Sequence, residues 1–221
     1  MWTNSLPPEL LNTVHCMDCL EFMRTLPDGC VDLVLTDPPY GINADKWTDW
    51  FWTTKGKKYL DSRDSYTPDK EVFDEILRVS KNCIIFWWNF FTDKLPVNWH
   101  WIVWDKVWEA LFENPFSKCE LAYTNINKKT VNKYIVIQQW FIAEEKDRAH
   151  PTQKPVILFK KILEDYSEQW MTILDCFAWS WTTWVACKEL GRNYILVEKE
   201  PKYVDIIHKR LQNTTVSLFH S

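Results

Sequence analysis

The sequence predicts an α/β fold built on a largely parallel sheet, because strand-like and helix-like stretches alternate along the chain. β-rich runs at Val31 to Thr36 and Asn82 to Phe86 flank a helical stretch, and residues 171–211 form a further βαβα pattern. The composition, 46% hydrophobic and 25% charged, is typical of globular proteins and excludes disordered and collagen-like chains. A length of 221 residues favours one domain spanning 1–221.

The N-terminal elements are predicted as helix, strand, helix and strand. Residues Leu20 to Leu26 are typical of a short amphipathic helix, which ends at the turn Pro27-Asp28-Gly29. The following run, VDLVLT, is typical of a buried parallel strand. Thr67 as N-cap and Pro68 at the first helical position then predict a helix over 67–79, before the strand that ends at Phe86.

The middle of the chain, residues 93–148, is predicted as a small insert and a candidate target-recognition region. Its apolar runs predict strands at Trp101 to Trp104, Cys119 to Thr124 and Tyr134 to Ile137. The C-terminal third is more regular, because a helix that starts at Pro155 has apolar residues at 3.6-residue spacing. The remaining predicted elements are strand 171–175, helix 182–190, strand 194–197 and helix 201–211.

Charge, hydropathy and cysteine usage narrow the function class. A net charge of −4 argues against a strongly basic nucleic-acid binder, but it is compatible with an enzyme that contacts DNA through a local patch. No apolar run reaches the roughly 20 residues that a membrane span needs, and the N-terminus lacks a secretory signal, so we expect a cytoplasmic protein. Seven cysteines favour reduced thiols. Cys16 and Cys19 are predicted as two buried thiols rather than a zinc site, and no metal is expected.

The tetrapeptide Asp37-Pro38-Pro39-Tyr40 directly follows the predicted strand VDLVLT. Ligands of open α/β sheets bind at the carboxyl ends of the strands, which is where this tetrapeptide lies. Consecutive prolines have no N–H donors and present carbonyl acceptors on a rigid backbone. An acid, these acceptors and an aromatic ring predict a pocket for a planar group that bears an amino group. A turn that merely ends a strand would explain only the prolines.

Four sequence blocks resemble the β class of amino-DNA methyltransferases, in which a D-P-P-Y motif precedes the cofactor motif. They are residues 15–42, the block HPTQKP at 150–155, the block DCFAWSWTT at 175–183 and the block VEKEPKYV at 197–204. The third resembles the family's D-P-F-A-G-S-G-T-T loop. The resemblance implies a single-domain, Rossmann-like methyltransferase fold, with a mostly parallel, doubly wound sheet and helices on both faces. It also implies double-stranded DNA as partner, S-adenosylmethionine as cofactor and a place in restriction-modification.

The resemblance assigns the D-P-P-Y residues to the target base. Tyr40 would stack on an adenine flipped out of the duplex, while Asp37 and the Pro38 carbonyl, supported by Pro39, would accept hydrogen bonds from its exocyclic amine. This would localise the nitrogen lone pair for a direct methyl transfer. Aspartate at the first position favours adenine. A cytosine amino-methyltransferase is the alternative enzyme, and a catalytically inactive DNA-binding relative is the alternative outside enzymes.

The resemblance also implies a set of cofactor residues. Glu198 would bind the ribose hydroxyls, as strand-end acids do in nucleotide sites. Asp18 would lie near the adenine ring. For Asp18, His150 and Lys154 an ordinary surface polar role is the alternative. The residues around the methionine part would be Asp175, Phe177, Ala178, Trp179, Ser180, Trp181, Thr182 and Thr183, with His150, Thr152, Gln153 and Lys154 on the other side.

Tryptophan stands at many positions where glycine is expected. The sequence has 4 Gly and 15 Trp, whereas average usage of roughly 7% would give about 15 glycines. Trp179, Trp181 and Trp184 stand where the family has glycine, and Trp87-Trp88 and Trp170 lie in loops that suit glycine. Trp108 and Trp140 also lie at loop positions that suit glycine, and Trp47, Trp50 and Trp52 crowd the loop after the D-P-P-Y tetrapeptide. Trp101 and Trp104, by contrast, lie in a β-rich run.

Two hypotheses explain the tryptophans. A genome that uses UGA for glycine, translated with UGA as tryptophan, would give this pattern, and so would deliberate glycine-to-tryptophan design. Bulky residues in the cofactor loop predict that the chain as written binds S-adenosylmethionine poorly.

Overall fold

A computed structural model describes residues 5–41, 66–106, 117–128, 130–137 and 153–217 of the chain. Within these ranges, helices and strands alternate as predicted. The helices are Cys19–Arg24 (α1), Lys70–Val79 (α2), Val156–Tyr166 (α3), Thr182–Leu190 (α4) and Pro201–Ser217 (α5). The strands are Thr13–Cys16 (β1), Val31–Thr36 (β2), Ser80–Phe86 (β3), Trp101–Asp105 (β4), Cys119–Thr124 (β5), Val131–Ile135 (β6), Thr172–Asp175 (β7) and Asn193–Glu198 (β8).

The strands form one eight-stranded sheet in the order β1-β8-β7-β2-β3-β5-β4-β6. The five strands from β1 to β3 in this order are all parallel to one another. Strand β5 is antiparallel to both β3 and β4, and β6 is parallel to β4. The mostly parallel sheet confirms the predicted fold class. All three strands from the 93–148 region belong to this same sheet.

Helices cover both faces of the sheet, because successive side chains of a buried strand point to opposite sides. Val34 and Ile85 belong to a hydrophobic core with residues of α1 and α2. Leu35 and Ile84, their neighbours along the strands, pack in a second core with residues of α3 and α4. On that second side, Leu196 of β8 contacts α5. The doubly wound arrangement that the resemblance implies is therefore confirmed.

The structure differs from the sequence predictions at β1, α2 and β6, and α5 continues to Ser217, beyond its predicted end at residue 211. The sequence does not predict strand β1, because three of its residues are only partly buried, Cys16 is exposed, and its pairing with β8 joins distant parts of the chain. Helix α2 begins at Lys70 after the N-cap position Asp69, so Thr67 and Pro68 precede the helix. Strand β6 occupies Val131–Ile135 instead of 134–137. Its pairing with β4 determines these bounds. The first half of the strand is mostly polar, so the sequence pattern does not indicate a strand there.

Three further predictions concern the burial of the cysteines, metal binding and membrane-spanning helices. Cys19 is buried but Cys16 is exposed, so the prediction of two buried thiols is wrong for Cys16. In the described ranges no three His, Cys, Asp or Glu side chains cluster closely enough to hold a metal ion. None of the helices described is both long and apolar enough to span a membrane.

Three tryptophans have the backbone conformation of glycine. Trp87, Trp170 and Trp181 have φ angles of +59°, +70° and +48°, and Asn12 is the other non-glycine residue with positive φ among those described. The left-handed region costs L-residues roughly 1–2 kcal/mol, and for a bulky side chain it is an outlier. All three tryptophans lie at positions that the sequence predicts to suit glycine. The coincidence of residue type and φ angle supports the interpretation that these are glycine positions.

Replacing Trp170 with glycine is expected to raise the free energy of unfolding by about 1 kcal/mol. The Trp170 side chain is 78% exposed, so its removal sacrifices little packing while it relieves the left-handed strain. Thermal or urea unfolding measures the change.

Trp99 provides the matched control, because its side chain is 75% exposed and its φ is not positive. Trp99→Gly is expected to lower stability slightly, since glycine raises the entropy of the unfolded chain. If both variants lose the same stability, Trp170 is not strained.

Candidate functional site

The candidate site lies at the edge of the sheet where the parallel strands end. Because β1, β8, β7, β2 and β3 run in the same direction, their last residues meet at this edge. Asp37 follows β2 in the centre of the sheet, Asp175 ends the neighbouring strand β7, and Glu198 ends β8. The fold therefore brings to one edge three acids that are far apart in the sequence.

Asp37 forms a buried ion pair with Lys154. The Lys154 Nζ atom donates to both carboxylate oxygens of Asp37, at 2.7 and 2.8 Å. Lys154 is 2% exposed, and its Nζ also lies 3.2 Å from Oε2 of Glu120, a buried residue at the start of β5. The other oxygen of Glu120, Oε1, pairs with Lys106, which follows β4. Two acids and two lysines thus form a buried cluster of balanced charge.

Burial shifts the proton affinities of this cluster. Removal from water raises the pKa of Asp37 to about 6, although the positive charge of Lys154 opposes the shift. Burial also lowers the pKa of Lys106, against the attraction of Glu120. For Lys154, burial alone would lower the pKa, but Asp37 and Glu120 together outweigh it and raise the pKa. Lys154 therefore stays charged and holds the carboxylate of Asp37.

The ring of Tyr40 is buried under aromatic neighbours. The Trp87 ring stacks on it, with centroids 4.2 Å apart and an interplanar angle of 28°. Phe90 lies at 5.4 Å in a tilted orientation. The Nζ atoms of Lys106 and Lys154 each lie 5.2 Å from the centre of the Trp87 ring. An indole ring therefore occupies a face of Tyr40 beside the Asp37–Lys154 pair.

Asp175 connects the strands to the predicted cofactor loop. Its carboxylate accepts hydrogen bonds from Thr36 Oγ1 at 2.8 Å, Thr183 Oγ1 at 2.5 Å and the Phe177 backbone N–H at 3.1 Å. Burial raises the pKa of Asp175, and the hydrogen bonds from Thr183 and Thr36 oppose that shift. The side chain thus holds β2, β7 and the start of α4 together, and its contacts in the described structure are those of a positioning residue.

The two acids assigned to the nucleoside end of the cofactor differ in their surroundings. Glu198 is buried at the end of β8, where its Oε1 accepts a hydrogen bond from the Glu200 backbone N–H. Asp18 caps α1 by accepting from the Leu20 N–H at 2.9 Å, and its Oδ2 lies 3.5 Å from Lys199 Nζ. The structure brings both acids to the same edge, because β1 and β8 pair with Cys16 opposite Glu198.

The loop between β7 and α4 is the segment that the resemblance places around the methionine part. Trp181 is 2% exposed and packs against Leu196 and Ile207, under the Arg210 guanidinium at 3.7 Å from the ring centre. Two buried indoles, of Trp179 and Trp181, occupy this loop where the family's loop has glycine, so the loop as written lacks the small residues that a close approach of the methionine part requires. The buried residues of this segment are Ala178, Trp179, Ser180, Trp181, Thr182 and Thr183.

The segment around Gln153 and Lys154 also meets this loop. Thr182 Oγ1 donates to the Lys154 backbone carbonyl at 3.0 Å, so the structure joins the two predicted blocks. His150 and Thr152 lie outside the described residues. Trp47, Trp50, Trp52, Trp108 and Trp140 also lie outside them.

Sequence reasoning missed Glu120 and Lys106. The signal for Glu120 was an acid inside a predicted strand, at the same alternation as the buried Ala122 and Thr124. A charged residue on the buried face of a strand needs a partner, and this one has two lysines. Lys106 carried no comparable signal, because it follows its strand like an ordinary surface lysine.

Comparison with known proteins supports the sequence resemblance. Residues 50–209 match a family model described as DNA methylase, of the N6/N4 type. The Type II methyltransferase M.HinfI of Haemophilus influenzae is 27% identical over 258 residues, which cover 92% of this chain and 69% of that protein.

Two solved structures are similar to the chain at low sequence identity. The crystal structure of the M1.HpyAVI–SAM complex has a TM-score of 0.59 and 22% identity, covering 90% of this chain and 98% of that chain. The PvuII DNA methyltransferase, which is cytosine-N4-specific, has a TM-score of 0.58 and 14% identity, and the match covers 87% of this chain and 83% of that chain. At these identities the similarity supports the Rossmann-like fold alone.

Proposed function

The chain belongs to the DNA methylase family, whose model matches more than half of its length, and on that premise we propose that, with glycine at positions 179 and 181, it methylates the exocyclic amino group of adenine in double-stranded DNA. S-adenosylmethionine is the proposed methyl donor, as in the SAM-bound relative M1.HpyAVI. The name of M.HinfI, a Type II methyltransferase, supports a role in restriction-modification.

The observation that carries this proposal is the position of Asp37-Pro38-Pro39-Tyr40 at the carboxyl end of the central strand β2. Asp37, whose side chain is 10% exposed, supplies a carboxylate acceptor, and Pro38 supplies a carbonyl on a rigid backbone. Tyr40 supplies a ring on which a flipped base stacks. These groups fix the amine relative to the methyl donor, and their contribution to the rate is positioning and electrostatics.

The cofactor residues are proposed on the same basis. Glu198 binds the ribose hydroxyls and Asp18 lies near the adenine ring, while Asp175 positions the loop through Thr183. S-adenosylmethionine, when bound, supplies an electrophilic methyl group to the amine. The loop accommodates it once the indoles of Trp179 and Trp181 are removed.

Adenine and cytosine amino groups both suit an acceptor pair of this kind. The cytosine-N4-specific PvuII enzyme has a similar fold, so cytosine is the second candidate substrate. Asp37 at the first motif position favours adenine by the family resemblance.

Transfer of a labelled methyl group to unmethylated genomic DNA tests the proposal in a chain with Trp179→Gly and Trp181→Gly. Mass spectrometry of the digested nucleosides is expected to find N6-methyl-2′-deoxyadenosine and no N4-methyl-2′-deoxycytidine. Asp37→Ala, which removes the acceptor, is expected to abolish the signal. N4-methylcytosine would favour the second candidate. No methyl transfer from the glycine-restored chain would favour the inactive DNA-binding relative.

The methyl-transfer rate is expected to fall about tenfold between pH 7 and pH 5. Asp37 accepts the amine hydrogen only when it is ionised, and its pKa is raised to about 6. Initial rates in the glycine-restored chain measure the profile. Asp37→Asn, which cannot titrate, is the control and is expected to show a low, level rate. A full rate that persists at the acid end would contradict this assignment.

A further inference from the structure

We propose that Glu120 is a positioning residue that receives the Lys154 ammonium when a target amino group binds Asp37. The inference rests on the proposed function and extends it to a residue outside the sequence motifs. It is carried by the geometry of the four charged groups around Asp37.

Lys154 occupies the place that the target amine needs. Its Nζ atom donates to both oxygens of Asp37, so an incoming amino group meets a carboxylate whose oxygens already accept hydrogen bonds. Each oxygen can accept a second hydrogen bond, but an amine that approaches along the directions that Lys154 now uses displaces at least one of its bonds. Lys154 is nearly fully buried, so water cannot replace the lost acceptor.

Glu120 offers the replacement acceptor. Its Oε2 atom is buried, makes no hydrogen bond to any residue that the structure describes, and lies 3.2 Å from Lys154 Nζ. The other oxygen, Oε1, is held by Lys106, so the carboxylate is fixed while Oε2 faces Lys154. A small movement of the ammonium converts this close approach into a hydrogen bond.

The exchange leaves each lysine with a carboxylate acceptor and leaves the Asp37 carboxylate with a hydrogen-bond donor. With Lys154 on Asp37, the cluster holds two lysines and two carboxylates. After the exchange, Glu120 accepts from both lysines, and Asp37 accepts from the target amine and lies near both. Glu120 does not touch the base, so it acts on amine binding through Lys154.

The experiment follows the protonation of Lys154 in the full chain. The ¹⁵Nζ resonance of Lys154, assigned by its loss in Lys154→Arg, reports the charge of the amine during a pH titration. Asp37→Asn imitates the state in which Asp37 no longer holds the lysine. In this variant Lys154 is expected to stay charged, because the Glu120 carboxylate accepts a hydrogen bond from its ammonium group and balances its charge.

The double variant Asp37→Asn/Glu120→Gln is expected to lose the lysine proton at least about tenfold more readily, which is one pH unit lower. Asp37→Ser replaces Asp37→Asn if the latter does not fold. Glu189→Gln, which removes the exposed partner of Lys160, is the matched control and is expected to leave Lys154 unchanged.

Equal titration midpoints in the single and double variants would overturn the role of Glu120. The lysine titration needs neither DNA nor methyl donor. A chain that transfers no methyl group therefore contradicts the proposed function, while the titration still decides whether Glu120 receives Lys154.

Discussion

Restoring glycine at positions 179 and 181 is expected to convert a chain that binds S-adenosylmethionine poorly into one that binds it with micromolar affinity. The loop carries a tryptophan with φ of +48° at position 181, and the Trp181 indole fills space between β8 and α5. Glycine removes both obstacles, because it adopts this backbone region freely and lets a ligand approach the backbone closely. Isothermal titration calorimetry measures both chains.

Replacing these tryptophans with glycine removes buried packing but also relieves backbone strain, so its effect on the free energy of unfolding has two opposing contributions. The binding measurement is therefore compared with a stability measurement. Loss of a buried tryptophan side chain ordinarily costs roughly 3–5 kcal/mol. Relief of the left-handed backbone returns only about 1–2 kcal/mol. A glycine-restored chain that is less stable yet binds the cofactor more tightly would show that the loop was blocked. Trp104→Phe is the control, since Trp104 is a buried strand residue outside the loop. Micromolar binding by the chain as written would contradict the prediction.

The sequence predicts best the elements that depend on local signals. Helix α4, from Thr182 to Leu190, has the predicted bounds, because Gly191 ends it with a left-handed C-cap. Strand β5 also has the predicted bounds, since its apolar run stands alone between polar segments. Helix α3 keeps its predicted apolar face, with Leu158, Ile162 and Tyr166 buried against the sheet.

The features that sequence reasoning missed depend on contacts between distant residues. Strand β1 exists because it pairs with β8, which lies far along the chain. The pair of Asp37 and Lys154 joins residues 117 positions apart, and the motifs alone did not indicate that these two side chains meet. Glu120 belongs neither to the D-P-P-Y tetrapeptide nor to the HPTQKP block. The antiparallel pairing of β5 with β3 brings it to the edge of the sheet where Asp37 lies. Topology, which local patterns do not encode, decides these contacts.

The tryptophans are the clearest case in which structure sharpened a sequence hypothesis. The composition shows an excess of tryptophan, and the backbone φ angles distinguish the tryptophans at glycine-like positions from the others. Trp87, Trp170 and Trp181 require φ angles that suit glycine, whereas Trp101 and Trp104 lie in strand β4 with ordinary backbone. The UGA hypothesis and the design hypothesis are both compatible with glycine-like positions at Trp87, Trp170 and Trp181. UGG codons at 179, 181 and 184 would exclude the UGA hypothesis and favour design.

Trp87→Gly is expected to raise methyl transfer at least about tenfold in the chain that already carries glycine at 179 and 181. The Trp87 ring stacks on Tyr40, the residue proposed to stack on the flipped base. Such a ring pair is worth about 0.5–1.5 kcal/mol, and each ammonium over the indole adds about 0.5–1 kcal/mol. A target base must displace these contacts before it reaches Tyr40, and 1.4 kcal/mol corresponds to about a tenfold loss.

The control for Trp87 is Phe90→Ala. Phe90 also contacts the Tyr40 ring, at 5.4 Å, but its backbone has no positive φ. Its removal takes away an aromatic neighbour while the Trp87 stack remains, so we expect the transfer rate to change little. Initial rates with unmethylated genomic DNA compare the two variants. If Trp87→Gly leaves the rate unchanged, or Phe90→Ala raises it equally, the stacked indole does not compete with the base. If only Trp87→Gly raises the rate, the indole acts as an internal substitute for the base, and Tyr40 is the surface that both rings share.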